Sequence, residues 1–187
     1  MRLRFVAIDE DRPGARWAVR FREVFPRFRG WLAGQADPPS PAACARALAR
    51  HMPELVPLYR TLCGLAGDDP LAHRLLTQWC PPPLPLGCSV AVETQGEPLL
   101  VRNYDFTPDF FEGTVLRGRW SGHGVIAMVE AAWGTLDGVN EAGLAIAITY
   151  GGRPVLGEGF AIPLVARYVL ETCGTCAERW RRFAGFP

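Results

Sequence analysis

GCSVAVETQGEPLLVRNYDF, residues 87–106, is the stretch on which the reading of this chain turns. Ser89 to Thr94 (SVAVET) is strand-like, Gln95-Gly96-Glu97-Pro98 is a turn, and Leu99 to Asn103 (LLVRN) is strand-like again. That pattern predicts a β-hairpin. A hairpin brings its second strand back beside its first, so Arg102 and Asp105 return to the neighbourhood of Cys88. A cysteine opening a strand is most often only a small buried hydrophobe. A guanidinium and a carboxylate beside one thiol give it another use, because they tune its ionisation and hold a base in place. Taken without Cys88, the pair Arg102 and Asp105 reads as a surface ion pair at a strand end.

Upstream of the hairpin, residues 1–80 read as helical. Ser40 caps an Ala-rich helix over Ala42–Met52, with Pro41 at its first position. Leu55, Leu58, Leu62 and Leu65 mark one apolar helix face that Gly67 ends. Asp68-Asp69-Pro70 opens a further short helix running to about Trp79. The proline block at 81–85 then excludes both helix and central strand. Downstream, Val115-Leu116, Val125–Ala131, Gly134–Val139 and Leu144–Tyr150 read as strands, with a turn at Asn140–Gly143. Ile162–Phe183 reads as one long helix. Helices, then meandering antiparallel strands, then a helix predict an α+β fold.

Composition excludes several chemistries. The 187 residues carry 20 basic and 19 acidic side chains, and every basic one is arginine. Without lysine there is no P-loop lysine, no Schiff-base lysine and no Ser–Lys dyad. Arginine is no substitute, because its guanidinium stays protonated. A net charge of +1 gives no global attraction to nucleic acid or to an anionic membrane. No apolar run approaches the roughly 18 residues that a membrane helix needs. The start, MRLRFVAIDEDRPG, does not read as a signal peptide, so a cytoplasmic location and six reduced thiols are expected.

The segments GCSVAVE, LLVRNYDF, WGTLDGVNEAGLAIAITYGG and GEGFAIPLVARYVLETC together resemble the acyl-CoA:6-aminopenicillanic acid acyltransferase family, the isopenicillin-N acyltransferase-like branch of the N-terminal nucleophile (Ntn) hydrolases. The related choloylglycine hydrolases look similar at the same positions. The resemblance covers roughly residues 80–187. It implies a four-layer αββα sandwich, no cofactor, no metal, and a small-molecule amide or acyl-CoA-type substrate. It also implies roles. Cys88 matches the nucleophile that becomes a new N-terminus once the Gly87–Cys88 bond is cut. Arg102 matches the arginine beside that thiol, and Asp105 the aspartate at the nucleophile's amino group. Asn140 matches an oxyanion-hole asparagine, and Tyr104 is a packing or substrate-contact residue. On this reading residues 1–87 form a helical pro-segment, retained as the smaller chain, and residues 88–187 form the first part of the Ntn domain.

The chemistry of these roles is coherent. An N-terminal cysteine carries thiol and α-amine on one residue, and the amine titrates at about 7.7–8.0, so it takes the thiol's proton near neutrality. An oxyanion donor in such a site is worth about 3 kcal/mol. Glycine at position 87 is expected to ease the bending of the scissile bond. Family members run on past the helix that resembles Ile162–Phe183. The remaining half of the sandwich is therefore expected from further sequence, from a complementary chain or from a second copy. The alternative is an inactive fragment or subunit whose exposed sheet pairs with such a chain.

Other motifs carry less. Cys173-Gly174-Thr175-Cys176 lacks a second ligand pair for zinc and reads as two thiols on a helix. His51, His73 and His123 are scattered. The Arg/Phe alternation at residues 20–29 resembles a single-strand nucleic-acid binder, but Glu23 and Pro26 favour an ordinary amphipathic helix. The glycines at 151–159 lack dinucleotide-loop spacing.

Overall fold

The computed structural model describes residues 3–83, 87–105, 110–149 and 157–183. The chain opens with a short strand, β1 (Val6–Asp9), and a long helix, α1 (Ala15–Ala33). Gly14 offers no side chain to cap α1. The Glu10 carboxylate serves instead, accepting from the amides of Gly14, Arg16 and Trp17 at 3.2, 2.9 and 3.0 Å. α1 buries Trp17, Phe21, Val24, Phe28 and Leu32, spaced three or four apart, as an amphipathic helix must. Of the arginines interleaved with these aromatics, Arg22, Arg27 and Arg29 are exposed, and Arg20 edges the buried face and reaches Thr114 Oγ1 at 2.8 Å, which agrees with the amphipathic-helix reading.

Three further helices follow: α2 (Pro41–His51), α3 (Val56–Ala66) and α4 (Pro70–Thr77). Ser40 caps α2, its hydroxyl accepting from Ala43 N at 3.2 Å. Asp69 caps α4 through Leu71 N at 2.9 Å. Gly67 ends α3 with φ +89°, a conformation that side chains avoid.

The hairpin forms as β2 (Gly87–Glu93) and β3 (Leu99–Asp105), in a register that pairs Cys88 with Tyr104 and Val90 with Arg102. β4 (Thr114–Gly118), β5 (Val125–Glu130), β6 (Gly134–Asn140) and β7 (Ala145–Ala147) then build a second sheet. Its order is β1-β4-β5-β6-β7. β1 joins at the edge, parallel to β4, with Ile8 opposite Leu116.

Two helices complete the described residues, α5 (Ile162–Thr172) and α6 (Cys176–Phe183). Trp17, Phe21, Phe28, Leu62 and Leu76 from the first helices share one core with Leu116, Val125, Ala127 and Val129 of the sheet and with Leu164, Tyr168 and Val169 of α5. Strand alternation turns Val115, Ile126, Met128, Asp137 and Val139 to the opposite face, where the hairpin lies. The result is a helical layer, a five-stranded sheet and a two-stranded sheet, an α+β arrangement.

Three expectations are corrected. Residues 1–80 are not all helical: Val6–Asp9 is a strand, and its partner β4 lies far along the sequence. The helix over Ile162–Phe183 is two helices. Gly174 follows the break at Cys173, and the Thr175 hydroxyl receives Glu178 N at 3.2 Å, which starts α6 afresh. Cys173 is buried and Cys176 exposed, so the two thiols flank this break rather than share a helix. The strand over Leu144–Tyr150 is shorter, Ala145–Ala147. Tyr150, the Gly151-Gly152 break and part of the proline block lie outside the described residues.

Candidate active site

Cys88 projects from β2 toward the five-stranded sheet, on the same hairpin face as Val90, Arg102 and Tyr104. Arg102 Nη2 donates to Cys88 Sγ at 2.9 Å. The rest of that guanidinium is fully engaged with the other sheet. Nη1 meets Asp137 Oδ2 of β6 at 3.0 Å, and Nε donates to Ile148 O at 3.0 Å. Its flat face lies over the Tyr104 ring, 4.7 Å from the centroid. The Arg102 side chain is 3 % exposed. A buried guanidinium held on three sides has little freedom to leave the thiol. Thr149 Oγ1 fixes the backbone of the same residue by donating to Cys88 O at 2.9 Å.

Tyr104 continues the line inward. Its hydroxyl donates to Glu130 Oε2 at 2.6 Å. Burial and the Glu130 charge both push the phenol above its ordinary range, so it stays a neutral donor.

Asp105 sits at the end of β3, opposite Gly87 in the ladder, on the outer hairpin face with Ser89 and Asn103. It accepts from Asn103 Nδ2 at 2.6 Å and from Ser89 Oγ at 3.3 Å. Its side chain is thus on the face away from the thiol, while its backbone flanks the Gly87–Cys88 bond. The strand places a different demand on Gly87 from the one expected. A Cβ there would come within 2.8 Å of Asp105 O, and the residue is not among those with positive φ. Close approach of the partner backbone selects glycine at this position.

Asn140, expected in an oxyanion hole, does not lie beside the thiol. It lies three residues from Asp137 on β6, hence on the opposite face of the sheet. Both of its amide hydrogens are spent on backbone carbonyls, Leu170 O at 2.9 Å and Cys173 O at 2.7 Å. Its carbonyl oxygen accepts from Ala142 N and Leu144 N. Asn140 therefore ties the β6–β7 turn to the end of α5. The side chain that does reach Arg102 is Asp137, which the sequence reading passed over. A carboxylate in mid-strand between buried Leu136 and Gly138 was the available signal.

An open groove of about 450 Å³ runs beside Asp137, lined by Leu100, Val115, Ile126, Met128 and Val139. Among the described residues no group of three or more His, Cys, Asp or Glu side chains gathers as metal ligands. No helix among them is long and apolar enough to cross a membrane.

A two-stranded hairpin on a five-stranded sheet backed by helices is an α+β arrangement consistent with an Ntn-type fold. The chain matches the acyl-coenzyme A:6-aminopenicillanic acid acyl-transferase family over residues 92–185, about half its length, and it belongs to that family. The match takes in Arg102, Tyr104, Asp105, Asp137 and Asn140, and begins four residues after Cys88. No curated protein and no solved structure matches the chain. The family is one of acyltransferases, which act on small-molecule substrates.

Proposed function

We propose that this chain is an autoprocessing amidohydrolase or acyltransferase whose nucleophile is Cys88. The observation that carries the reading is the Arg102–Cys88 contact, with Arg102 itself anchored by Asp137 on the facing sheet. In the precursor, the thiol adds to the Gly87 carbonyl carbon. The Gly87–Cys88 C–N bond breaks, a thioester forms, and the released nitrogen takes the thiol proton. Water then hydrolyses the thioester, which leaves a carboxylate on Gly87 and a free α-amine on Cys88. In turnover that amine accepts the thiol proton as sulfur attacks an amide or thioester carbonyl. The leaving group departs with the proton, and water or an amine takes the acyl group from sulfur. Asp105, opposite Gly87 in the ladder and so beside the Gly87–Cys88 bond, is assigned to orienting the released amine. Residues 1–87 remain as the smaller chain, held by the core that α1, α3 and α4 share with the sheet.

Intact-mass measurement tests this. Wild type should resolve into fragments of 87 and 100 residues, the division that a cut after Gly87 makes of 187. Cys88→Ala should stay whole. Wild type that never splits, even when supplied with further C-terminal sequence, ends the autoprocessing reading.

A second reading has one observation in its favour. Leu99 and Val101, on the outer face of the hairpin, are more than half exposed. Two adjacent apolar side chains on a two-stranded sheet suit an inert subunit that pairs with a complementary chain or a second copy. Peptide-resolved alkylation separates the two readings. A reactive Cys88 labels well ahead of the other five thiols, whereas an inert one labels no faster than exposed Cys176.

A further inference from the structure

Two adjacent residues of the facing sheet grip Cys88 and its arginine together. Ile148 and Thr149 follow β7, and the chain there stays on the sheet, with Ile148 N donating to Leu136 O of β6 at 2.8 Å. Ile148 is 8 % exposed and packs with Leu136 and Ala166, with Tyr104 against them. From this footing both residues reach the hairpin. Ile148 O accepts from Arg102 Nε at 3.0 Å, and Thr149 Oγ1 donates to Cys88 O at 2.9 Å. The first contact holds the arginine. The second touches neither the sulfur nor the nitrogen of Cys88 and acts on its carbonyl alone.

That carbonyl gains importance when the chain is cut. In the intact chain Cys88 is held from both sides, with Gly87 before it in the ladder opposite Asp105 and Ser89 after it opposite Asn103. Breaking the Gly87–Cys88 bond makes Cys88 a first residue, and a chain end frays unless something ties it down. Two contacts from outside its own strand pair are in place. Arg102 Nη2 holds Sγ at 2.9 Å, and Thr149 Oγ1 holds the carbonyl oxygen. With both of these atoms fixed, the rotations about Cα–C and Cα–Cβ are fixed as well. The amine on the same Cα then has one place to be. A base that acts on the thiol of its own residue needs that preorganisation.

We propose that Thr149 is a positioning residue for Cys88: its hydroxyl tethers the new N-terminal residue through the carbonyl and so sets the direction of the α-amine toward the thiol. The inference rests on Cys88 as the nucleophile freed by cleavage. Threonine suits the task, because its hydroxyl donates and its branched Cβ restricts χ1, which keeps the hydroxyl from swinging away. The side chain is exposed and belongs to neither hydrophobic cluster, so replacing it should leave the fold intact.

The experiment compares wild type, Thr149→Val and Thr149→Ser. Valine keeps the branched shape and removes the donor, and serine keeps the donor. Time-resolved intact mass follows splitting. The split proteins are then exposed to a non-specific aminopeptidase, and loss of Cys88 from the 100-residue fragment is timed. Thr149→Val should split about threefold more slowly than wild type and lose Cys88 about tenfold faster. Thr149→Ser should lie within about twofold of wild type in both, and the three melting temperatures should agree. A folded Thr149→Val chain that does not split at all, with splitting restored in Thr149→Ser, supports the proposal as well. Trimming of Thr149→Val at the wild-type rate overturns it whatever the splitting rate, and so does a Thr149→Ser chain as impaired as Thr149→Val. Both of those results leave Cys88 standing as the nucleophile. Wild type that never splits overturns the autoprocessing reading and this inference with it.

Discussion

The two faces of the five-stranded sheet are built from opposite materials. Toward the helices, Leu116, Val125, Ala127 and Val129 lie in one apolar core with Trp17, Phe21 and Tyr168. Two polar groups at its margins are committed, Trp133 Nε1 to Leu76 O and the Asn140 amide to α5. Toward the hairpin the same strands present Asp137 and Glu130, which reach Arg102 and Tyr104, beside an open groove. Ile126 and Val139 on that face are 50 % and 41 % exposed. The difference teaches that one face supplies the free energy of folding and the other holds strongly interacting charges in fixed positions. The helix face still encloses one ion pair, Arg167–Glu171, fully buried with the guanidinium over the Trp120 ring, and their mutual attraction offsets part of its desolvation cost.

Substitutions on each side should break different things. Arg102→Leu should lower Cys88-dependent chain splitting by about a thousandfold, because it removes the cation at the thiol and leaves Asp137 unpaired. Time-resolved intact mass would show this, and splitting at the wild-type rate would detach Arg102 from the chemistry. Trp17→Ala, on the other face, should destabilise the fold by about 3–5 kcal/mol in urea denaturation through cavity formation. It should leave Cys88 alkylation in the remaining folded protein unchanged. Asn140→Ala should cost about 2–4 kcal/mol, since it strands the buried carbonyls of Leu170 and Cys173. Its alkylation rate at Cys88 should match wild type, whereas a selective loss of acyl transfer with stability intact would restore it to the reacting centre.

The smallest effect is on the pH dependence of stability. Burial raises the folded-state value of Glu130, so the native state binds its proton more tightly than the unfolded chain does. Its contribution to stability is fully present at acid pH and is lost as pH rises through the raised value. Glu130→Gln should therefore flatten the decline in stability between about pH 4.5 and about pH 8, by about 1 kcal/mol or more at the alkaline end. A parallel decline in both proteins would place the titration elsewhere.

Much of the site was legible because it is local. The turn Gln95–Pro98 and its flanking strands fix the register that pairs Cys88 with Tyr104, and that register alone returns Arg102 to the thiol. Capping rules located α2 and α4, because Ser40 and Asp69 act on neighbours a few residues away. What was missed is non-local. Nothing in Val6–Asp9 announces that it pairs with β4, and a run of four residues carries no decisive period. Asp137 became important only once β6 lay under β3. The placing of Asn140 is non-local for the same reason: its motif marks a turn, and the carbonyls that occupy its amide lie at the end of α5, more than two dozen residues later. The carboxyl at 130 looks unremarkable in sequence, since burial alone makes it unusual.

β1 gives the proposed cut a kinetic consequence. It lies upstream of Gly87 yet forms the edge of the main sheet, with Val6 N bonded to Gly113 O at 2.8 Å and Glu10 N to Arg117 O at 3.1 Å. Before cleavage, the strand and its partner are tethered, and assembly is a first-order event independent of concentration. After cleavage the same contacts join two molecules, and a denatured sample must recover them by encounter. Diluting the unfolded pair would then slow refolding and lower the apparent melting temperature, with no change in any folded contact. The cut would act as a ratchet: the molecule assembles as one chain and, once divided, is held together chiefly by its slowness to come apart.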